Sequence, residues 1–300
     1  MNMERRAFGK TGLNVSALGF GGSEIGYQGV PLRVVERILG GALDAGLNVI
    51  DTAECYGAGE ELIGKAISKR RDEFVLLTKC GHAGSLLGRD WTPKTLERSI
   101  DRSLKRLRID HVDLMQFHSP PPEALHDAVL LEVLTRARDA GKTRFIGCSS
   151  DGVTALAAVE MKIFDTLEIS VSIADQEAID LVIPAARKQG MGIIAKRPIA
   201  NAAWLNDGMS RSDYGWPYRQ RLQHLDYDFM HSDPDEAVGV ALRFTLSVPG
   251  VATAIVGTTR PERWHQNAAH VARGPLPRDQ YEAVRARWRA VARPDWTGER

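Results

Sequence analysis

Eight short apolar runs, each separated from the next by a longer amphipathic stretch, constrain the fold of this chain most strongly. The runs are SALGFG, LNVIDT, EFVLLTK, HVDLMQFH, TRFIGCS, FDTLEIS, MGIIAKRP and VATAIVGT. Between them lie helix-like stretches such as PLRVVERILGGALDAG and AIDLVIPAARKQG, which end in Gly as a helix C-terminus prefers. Strands that alternate with helices pair in parallel, and eight such units close into a barrel. We therefore predict an α/β fold, a (β/α)8 TIM barrel with long βα loops.

A doubly wound open sheet is the alternative arrangement for strands that alternate with helices. Such a sheet carries a dinucleotide fingerprint, G-x-G-x-x-G, after its first strand. Here the first strand is followed by GFGGSEIG, which does not fit that pattern at the start of a helix. We expect its glycines, including Gly22, to let the backbone pass close to a ligand or turn sharply.

The first residues predict an element outside the eight repeats. The segment RRAFGKTGLNVSAL contains two short runs separated by GKTG, which is typical of a β-hairpin. We expect this hairpin to plug the floor of the barrel. The chain has 300 residues, and a barrel of this kind takes about 250 before insertions, so we expect one domain over residues 1–300.

Charge and composition narrow the function classes. The 39 basic and 38 acidic side chains leave a net charge of +1, which argues against a general nucleic-acid binder. No membrane span or secretory signal is apparent, so we expect a cytoplasmic protein. The three cysteines form no C-x-x-C pair and the eight histidines are scattered, so no disulfide framework or metal site is expected. The oligomeric state is open.

Four polar residues lie at the carboxyl ends of three apolar runs: Asp51 and Tyr56, Lys79, and His118. In a parallel barrel these strand ends converge on the active-site face. An acid, a phenol, an amine and an imidazole placed together suit proton transfer coupled to carbonyl chemistry. Taken singly, each residue also fits an ordinary solvated loop position.

The motifs around these residues resemble those of the aldo-keto reductase family. The segments are GLNVIDTAECYGAGEELIG, LLTKCG, VDLMQFHSP and GKTRFIGCSS, and they occur in the family's order. The resemblance runs from the N-terminal hairpin to about Val271. It implies an NADPH-dependent carbonyl reductase whose catalytic residues are Asp51, Tyr56, Lys79 and His118.

Elementary chemistry supports these roles. A phenol with a pKa near ~10 is a weak acid at neutral pH, and the Lys79 ammonium is expected to lower the pKa of Tyr56. Tyr56 then serves as the acid in reduction and the base in oxidation, while Asp51 holds Lys79 charged. His118 is expected to orient the carbonyl. The structural alternatives are Asp51 as a turn cap and Asp51 with Lys79 as a mere buried ion pair.

The resemblance also implies cofactor contacts on the strands that follow, with departures from the family's pattern. Ser149 and Ser150 stand where the family has Ser-Asn, and Glu168 stands where it has Gln to hold the nicotinamide amide. A carboxylate at Glu168 is expected to favour the oxidised, cationic ring. Lys196 and Arg197 stand before Pro198, where members of the family often have an aromatic residue or Ser. They are expected either to contact ribose or pyrophosphate oxygens or to pair with Glu168.

The segment IVGTTRPERWHQNAAH resembles the family's adenosine site. A tight turn followed by a capped helix presents N–H groups to a phosphate. Its expected cofactor contacts are Gly257, Thr258, Arg260, Arg263, Gln266 and Asn267. Two arginines, with no carboxylate placed for a ribose 2′-OH, favour NADP(H), with NAD(H) possible. Alternatively, the arginines lie on a solvated helix face.

Aromatic residues predict the substrate wall. Residues 201–233 lack clear periodicity, and we expect this long loop, with Trp204, Tyr27 and Trp91, to line the substrate pocket. The alternative is a pair of short helices packed outside the barrel. Trp296 in the C-terminal tail is compatible with the substrate mouth, a subunit contact or disorder.

Three functions are compatible with these patterns. The leading one is an NADP-linked oxidoreductase that reduces an aldehyde or ketone to an alcohol, with Tyr56 as general acid. The second is an NAD(P)-linked dehydrogenase that oxidises an alcohol or sugar. The third is a cofactor-sensing regulatory subunit, since some members of the resembled family associate with channels. Fold alone does not choose among them.

Overall fold

The computed structural model describes residues 3–84 and 86–298, which form a closed barrel of eight parallel strands surrounded by helices. The ten strands are β1 Arg5–Ala7, β2 Asn14–Ser16, β3 Leu18–Gly21, β4 Val49–Asp51, β5 Val75–Cys80, β6 Val112–His118, β7 Thr143–Ser149, β8 Thr166–Ser170, β9 Gly192–Lys196 and β10 Val251–Gly257. Strands β3 to β10 pair in sequence order, and β10 closes the barrel on β3. The predicted (β/α)8 TIM barrel is confirmed.

Helices connect the barrel strands and cover the outer face of the barrel. Within the described residues they are α1 Ser23–Tyr27, α2 Leu32–Asp44, α3 Gly59–Ile67, α4 Pro93–Leu107, α5 Pro122–Leu125, α6 Ala128–Asp139, α7 Gly152–Glu160, α8 Glu177–Leu181, α9 Ile183–Lys188, α10 Trp216–Leu225, α11 Pro234–Ser247, α12 Pro261–Ala272 and α13 Arg278–Val291. None of these helices combines the length and apolar character that crossing a membrane requires.

Helix α4 shows how the sequence specifies these elements. The hydroxyl of Thr92 accepts the backbone N–H of Thr95 at 3.2 Å, and Pro93 follows at the first helical position. Leu96 and Ile100, one turn apart, are both buried against the barrel. The capping residue and the apolar stripe of the sequence therefore both specify this helix.

The N-terminal hairpin closes the bottom of the barrel, as predicted. Strands β1 and β2 pair antiparallel, and Phe8 between them is 1% exposed among the inward-facing apolar side chains of the strands. Gly192 makes room for the ring: a Cβ at that position would lie 2.6 Å from it. Lys10 N–H donates to the carbonyl of Gly190 at 2.7 Å.

The long stretch at residues 201–233 folds largely as short helices, the alternative noted above. It contains 3-10 turns at Ala200–Leu205 and Asp228–His231, with α10 between them. Tyr218 and Tyr227 are buried in a second apolar cluster. The C-terminal tail joins this cluster, because the Trp296 ring lies 5.6 Å from the Trp288 ring. The tail therefore packs on its own chain.

We expect Phe8→Ala to lower the free energy of unfolding by about 3–5 kcal/mol, because it removes a ring that fills the barrel floor. Urea denaturation followed by circular dichroism measures this loss. Leu87→Ala is the control, since Leu87 is 87% exposed. An unchanged stability in Phe8→Ala would show that the hairpin does not seal the barrel.

Candidate active site

A cleft of about 1180 Å³ opens at the carboxyl ends of the barrel strands. Most of the residues predicted for catalysis, cofactor or substrate lie in its wall. Those that line it are Gly22, Tyr27, Asp51, Tyr56, His118, Ser149, Glu168, Lys196, Arg197, Gly257, Arg260, Arg263 and Asn267. The dispersed sequence motifs thus meet in one cavity.

The strand register explains how the polar side chains meet. Lys79 on β5 stands opposite Gln116 on β6, and His118 stands opposite Ser149 on β7. Ser149 in turn stands opposite Glu168 on β8. Each pair lies at the carboxyl end of its strands, so successive strands deliver their polar residues at similar depth.

Lys79 lies at the centre of a buried charge cluster. Its Nζ lies 2.5 Å from Asp51 Oδ2 and 3.3 Å from Glu168 Oε2, and it donates to the Thr52 carbonyl at 3.1 Å. The Lys79 side chain is 0% exposed and both carboxylates are 2% exposed. Burial opposes the ammonium charge, but the carboxylates outweigh it and raise the pKa of Lys79.

The two carboxyl groups around Lys79 differ in their pKa shifts. Burial and the negative charge of Glu168 hold the pKa of Asp51 well above its usual range. Burial also opposes the charge of Glu168, but Lys79 and Lys196 outweigh it and lower the pKa of Glu168. Gln116 Nε2 and Ser149 Oγ donate to the Glu168 carboxylate at 2.7 and 3.1 Å. Glu168 is therefore the better stabilised anion.

Tyr56 lies next to the ammonium, whose Nζ is 5.4 Å from the centre of the Tyr56 ring. Burial raises the pKa of Tyr56, and the attraction of Lys79 only partly offsets this because Asp51 and Glu168 raise it further. The expected net lowering is therefore wrong for the free protein, although Lys79 acts in the expected direction. The phenol stays protonated at neutral pH and is available as a proton donor.

His118 is held neutral beside Tyr56. Burial and the positive charge of Lys79 hold the pKa of His118 well below its usual range. Its Nδ1 lies 3.3 Å from Cys55 Sγ, and burial raises the pKa of this thiol to about 11. Because the thiol keeps its hydrogen, it can donate to Nδ1 and leave Nε2 as the N–H donor. Sequence spacing carried no signal for this contact of Cys55.

The two cations at the end of β9, Lys196 and Arg197, have partners that differ from those expected. Lys196 Nζ pairs with Asp151 Oδ2 at 2.9 Å rather than with Glu168. Arg197 donates to Ser170 Oγ at 2.9 Å and to the hydroxyl of Tyr214. The proposed pairing of both cations with Glu168 alone is therefore wrong.

Left-handed backbone follows β9 in this wall of the cleft. The φ angles of Arg197, Ala200, Asn201 and Ala202 are 54°, 46°, 54° and 50°. For residues other than glycine this conformation carries strain. Asn201, Ala202 and Tyr214 line the cleft, so part of the long loop does form a wall, as predicted.

The far end of the cleft is built from β10 and α12. Thr258 Oγ1 accepts the backbone N–H of Arg260 at 3.0 Å and shapes the turn before α12. Asn267 is 2% exposed, and its Oδ1 has no hydrogen-bond partner within the protein. A buried acceptor facing a cleft is suited to a donor on a ligand.

Two carboxylates near this end were not anticipated from the sequence. Glu24 lies against Gly257, where a Cβ would collide with its carboxylate. Asp235 Oδ1 lies 3.6 Å from Arg263 Nη1. The sequence carried no sign of these carboxylates, because α1 and α11 bring them in from distant parts of the chain.

Several predicted site residues do not line the cleft. Trp91 packs edge-on against Phe117 and His82, with ring centres 5.4 and 5.8 Å away. Trp204 packs in the second apolar cluster, and Gln266 is exposed on α12. Lys79, Ser150 and Thr258 are buried behind the cleft wall. The substrate roles of the two tryptophans have no support from their positions.

Known proteins resemble this chain along most of its length. A model of the Aldo/keto reductase family matches residues 17–289. L-galactose dehydrogenase of Arabidopsis thaliana is 28% identical over 90% of this chain and 88% of its own length. D-threo-aldose 1-dehydrogenase of a Pseudomonas species is 28% identical over 91% of this chain and 94% of its own.

A solved structure has the same fold. The aldo-keto reductase from Bacillus halodurans in its holo form superposes with a TM-score of 0.80. The superposition covers 98% of this chain and 99% of that one, at 23% sequence identity. At this identity the likeness concerns the fold.

The neutral state of His118 predicts a pH dependence of stability. An unfolded histidine takes up a proton near pH ~6.5, whereas folded His118 resists protonation. The unfolded state therefore binds more protons below that pH, and stability falls as the pH falls. In His118→Gln we expect a smaller loss between pH 7 and 5, measured by urea denaturation. His126→Gln, at an exposed position, is the control. An identical loss in His118→Gln and wild type would contradict the neutral imidazole.

Proposed function

Because the chain belongs to the aldo/keto reductase family, we propose that this oxidoreductase interconverts an aldehyde or ketone with its alcohol, using NADP(H). The carrying observation is the convergence of Asp51, Tyr56 and His118 in one cleft, with Lys79 directly behind them. A proton donor, an oxygen-binding imidazole and a buried ammonium are the groups that carbonyl reduction requires.

Residues along the cleft fit a nicotinamide dinucleotide. Ser149 and Glu168 would hold the carboxamide, and the unpaired Oδ1 of Asn267 suits the amino group of adenine. Arg260 and Arg263 lie at the same end and would meet a 2′-phosphate. When bound, the dinucleotide supplies or accepts the hydride.

Protein groups then handle the oxygen of the substrate. His118 Nε2–H donates to the carbonyl oxygen and orients it, because Cys55 occupies Nδ1. As negative charge develops on that oxygen, the Tyr56 phenol donates its proton. Lys79 stabilises the phenolate that remains. In oxidation the same proton moves in the opposite direction.

Oxidation of a sugar hydroxyl is the second candidate function. Two similar proteins are named for dehydrogenation of sugars, L-galactose and D-threo-aldose. Glu168 adds a carboxylate to the cleft wall, which favours a cationic ring. Tyr27 and Tyr214, exposed by 64% and 54% at the cleft, provide flat faces for a substrate.

We expect Tyr56→Phe to lower turnover by about 10²–10⁴-fold, as loss of a general acid does. NADPH consumption is measured with a panel of aldehydes and ketones, and NADP⁺ reduction with aldoses. Tyr281→Phe, on α13 outside the cleft, is the matched control. Full turnover in Tyr56→Phe would remove Tyr56 from the proton transfer. Cofactor binding without turnover on any substrate would favour cofactor sensing.

The preference for NADP(H) rests on Arg260 and Arg263. We expect Arg260→Ala with Arg263→Ala to weaken NADPH binding by about tenfold or more, since hydrogen bonds to charged groups contribute about 1.5–3 kcal/mol. NADH binding, measured by the same fluorescence titration, should change little. Arg289→Ala on α13 is the control. Equal losses for both dinucleotides would indicate that the arginines do not read the 2′-phosphate.

A further inference from the structure

We propose that Asp51 and Glu168 share one proton in the free protein, and that the cleft releases this proton when an oxidised nicotinamide ring binds beside Glu168. This inference rests on the proposed function, because it requires a nicotinamide dinucleotide in the cleft. Binding of the oxidised cofactor would then be coupled to the release of a proton, whereas binding of the reduced cofactor would not.

The arrangement around Lys79 carries the proposal. Two buried carboxyl groups face a single ammonium, at 2.5 Å for Asp51 and 3.3 Å for Glu168. The Oδ1 atom of Asp51 is buried and has no hydrogen-bond partner within the protein. A single proton on the two carboxyl groups leaves one ammonium facing one carboxylate, so the buried charges balance. Like charges this close do not both ionise readily.

The groups on the neighbouring strands are neutral or already paired, so they supply no counter-charge that would displace this proton. Strand β6 contributes Gln116 and neutral His118, and the loop after β4 contributes the protonated phenol of Tyr56. Beyond β7 and β9, the positive charge of Lys196 is matched by Asp151 at 2.9 Å.

Two further groups on these strands complete the surroundings. Burial raises the pKa of the Cys148 thiol on β7, so this thiol stays neutral. Arg197 Nη1 lies 3.9 Å from Asp151 Oδ2, whereas Lys196 Nζ lies 2.9 Å from the same oxygen. Among the described residues, Lys79 is therefore the one ammonium within 4.0 Å of either carboxyl group, while Lys196 acts on Glu168 from a longer distance.

An oxidised nicotinamide ring changes this balance. Asp51 and Glu168 both line the cleft, so a nicotinamide ring held by Ser149 and Glu168, as proposed above, would lie near them. The added positive charge takes the place of the shared proton as the second counter-charge, and the proton leaves to solvent. The reduced ring is neutral and has no such effect. Because the oxidised form releases a proton on binding, its affinity rises with pH.

Calorimetry of the full chain tests the proposal. Binding of NADP⁺ and of NADPH is measured at pH 7 in phosphate and in Tris, whose ionisation enthalpies differ, to count the protons exchanged. The 2′-phosphate titrates in both forms and cancels in the difference. We expect NADP⁺ to release up to about one proton more than NADPH, and its Kd to fall by up to about tenfold per pH unit.

Substitution identifies the groups involved. Glu168→Gln should abolish the difference in protons between the two redox forms. Asp113→Asn, a buried carboxyl group on β6 that pairs with Arg71 and Arg144, should preserve it.

Three outcomes oppose the proposal in distinguishable ways. Equal proton counts for NADP⁺ and NADPH in the wild type overturn the proposal while leaving the proposed function intact. A difference that persists in Glu168→Gln also overturns it. Binding of neither dinucleotide overturns the proposed function itself. Should Glu168→Gln fail to fold, the pH dependence of the two wild-type dissociation constants decides.

Discussion

The ion pair between Lys79 and Asp51 is the interaction on which the rest of the site depends. A fully buried ammonium is costly unless carboxylates compensate it, and here β4 and β8 each supply one. Removing either partner would leave an uncompensated charge inside the barrel. The same ammonium faces the ring of Tyr56. The stability of the barrel and the acidity of the phenol therefore both depend on Lys79.

Charges in the cleft are arranged in two layers that hardly share partners. The inner layer comprises Lys79 with its two carboxyl groups, and the outer layer comprises Lys196 with Asp151. Lys196 pairs directly with Asp151, and its positive charge acts on Glu168 only from a longer distance. Glu168 stands where the resembled family has Gln. It joins the charge cluster around Lys79 and does not form a separate ion pair with Lys196.

Much of the fold and of the inner site was predictable from the sequence, because both follow from short-range patterns. Apolar runs with polar ends indicated the positions of Asp51 and His118 at the cleft and of Lys79 directly behind it, since a parallel barrel gathers the ends of its strands. The net pKa shift of Tyr56 was not predictable, because burial depends on the packing of the whole cleft. Glu24 and Asp235 were missed because helices far apart in the chain bring them to β10 and α12. Trp91 and Trp204 were misplaced since aromatic residues serve core and cleft equally well.

The left-handed residues after β9 carry backbone strain, which bears on the substitutions that this segment can accept. Each such non-glycine residue stores roughly 1–2 kcal/mol, and Ala200 and Ala202 gain no local side-chain hydrogen bond that would offset it. Glycine at these positions would relieve the strain, but it would also free the backbone of a wall that shapes the cleft. The chain therefore retains alanine where glycine is conformationally easier, and gives up some stability in return for a rigid pocket.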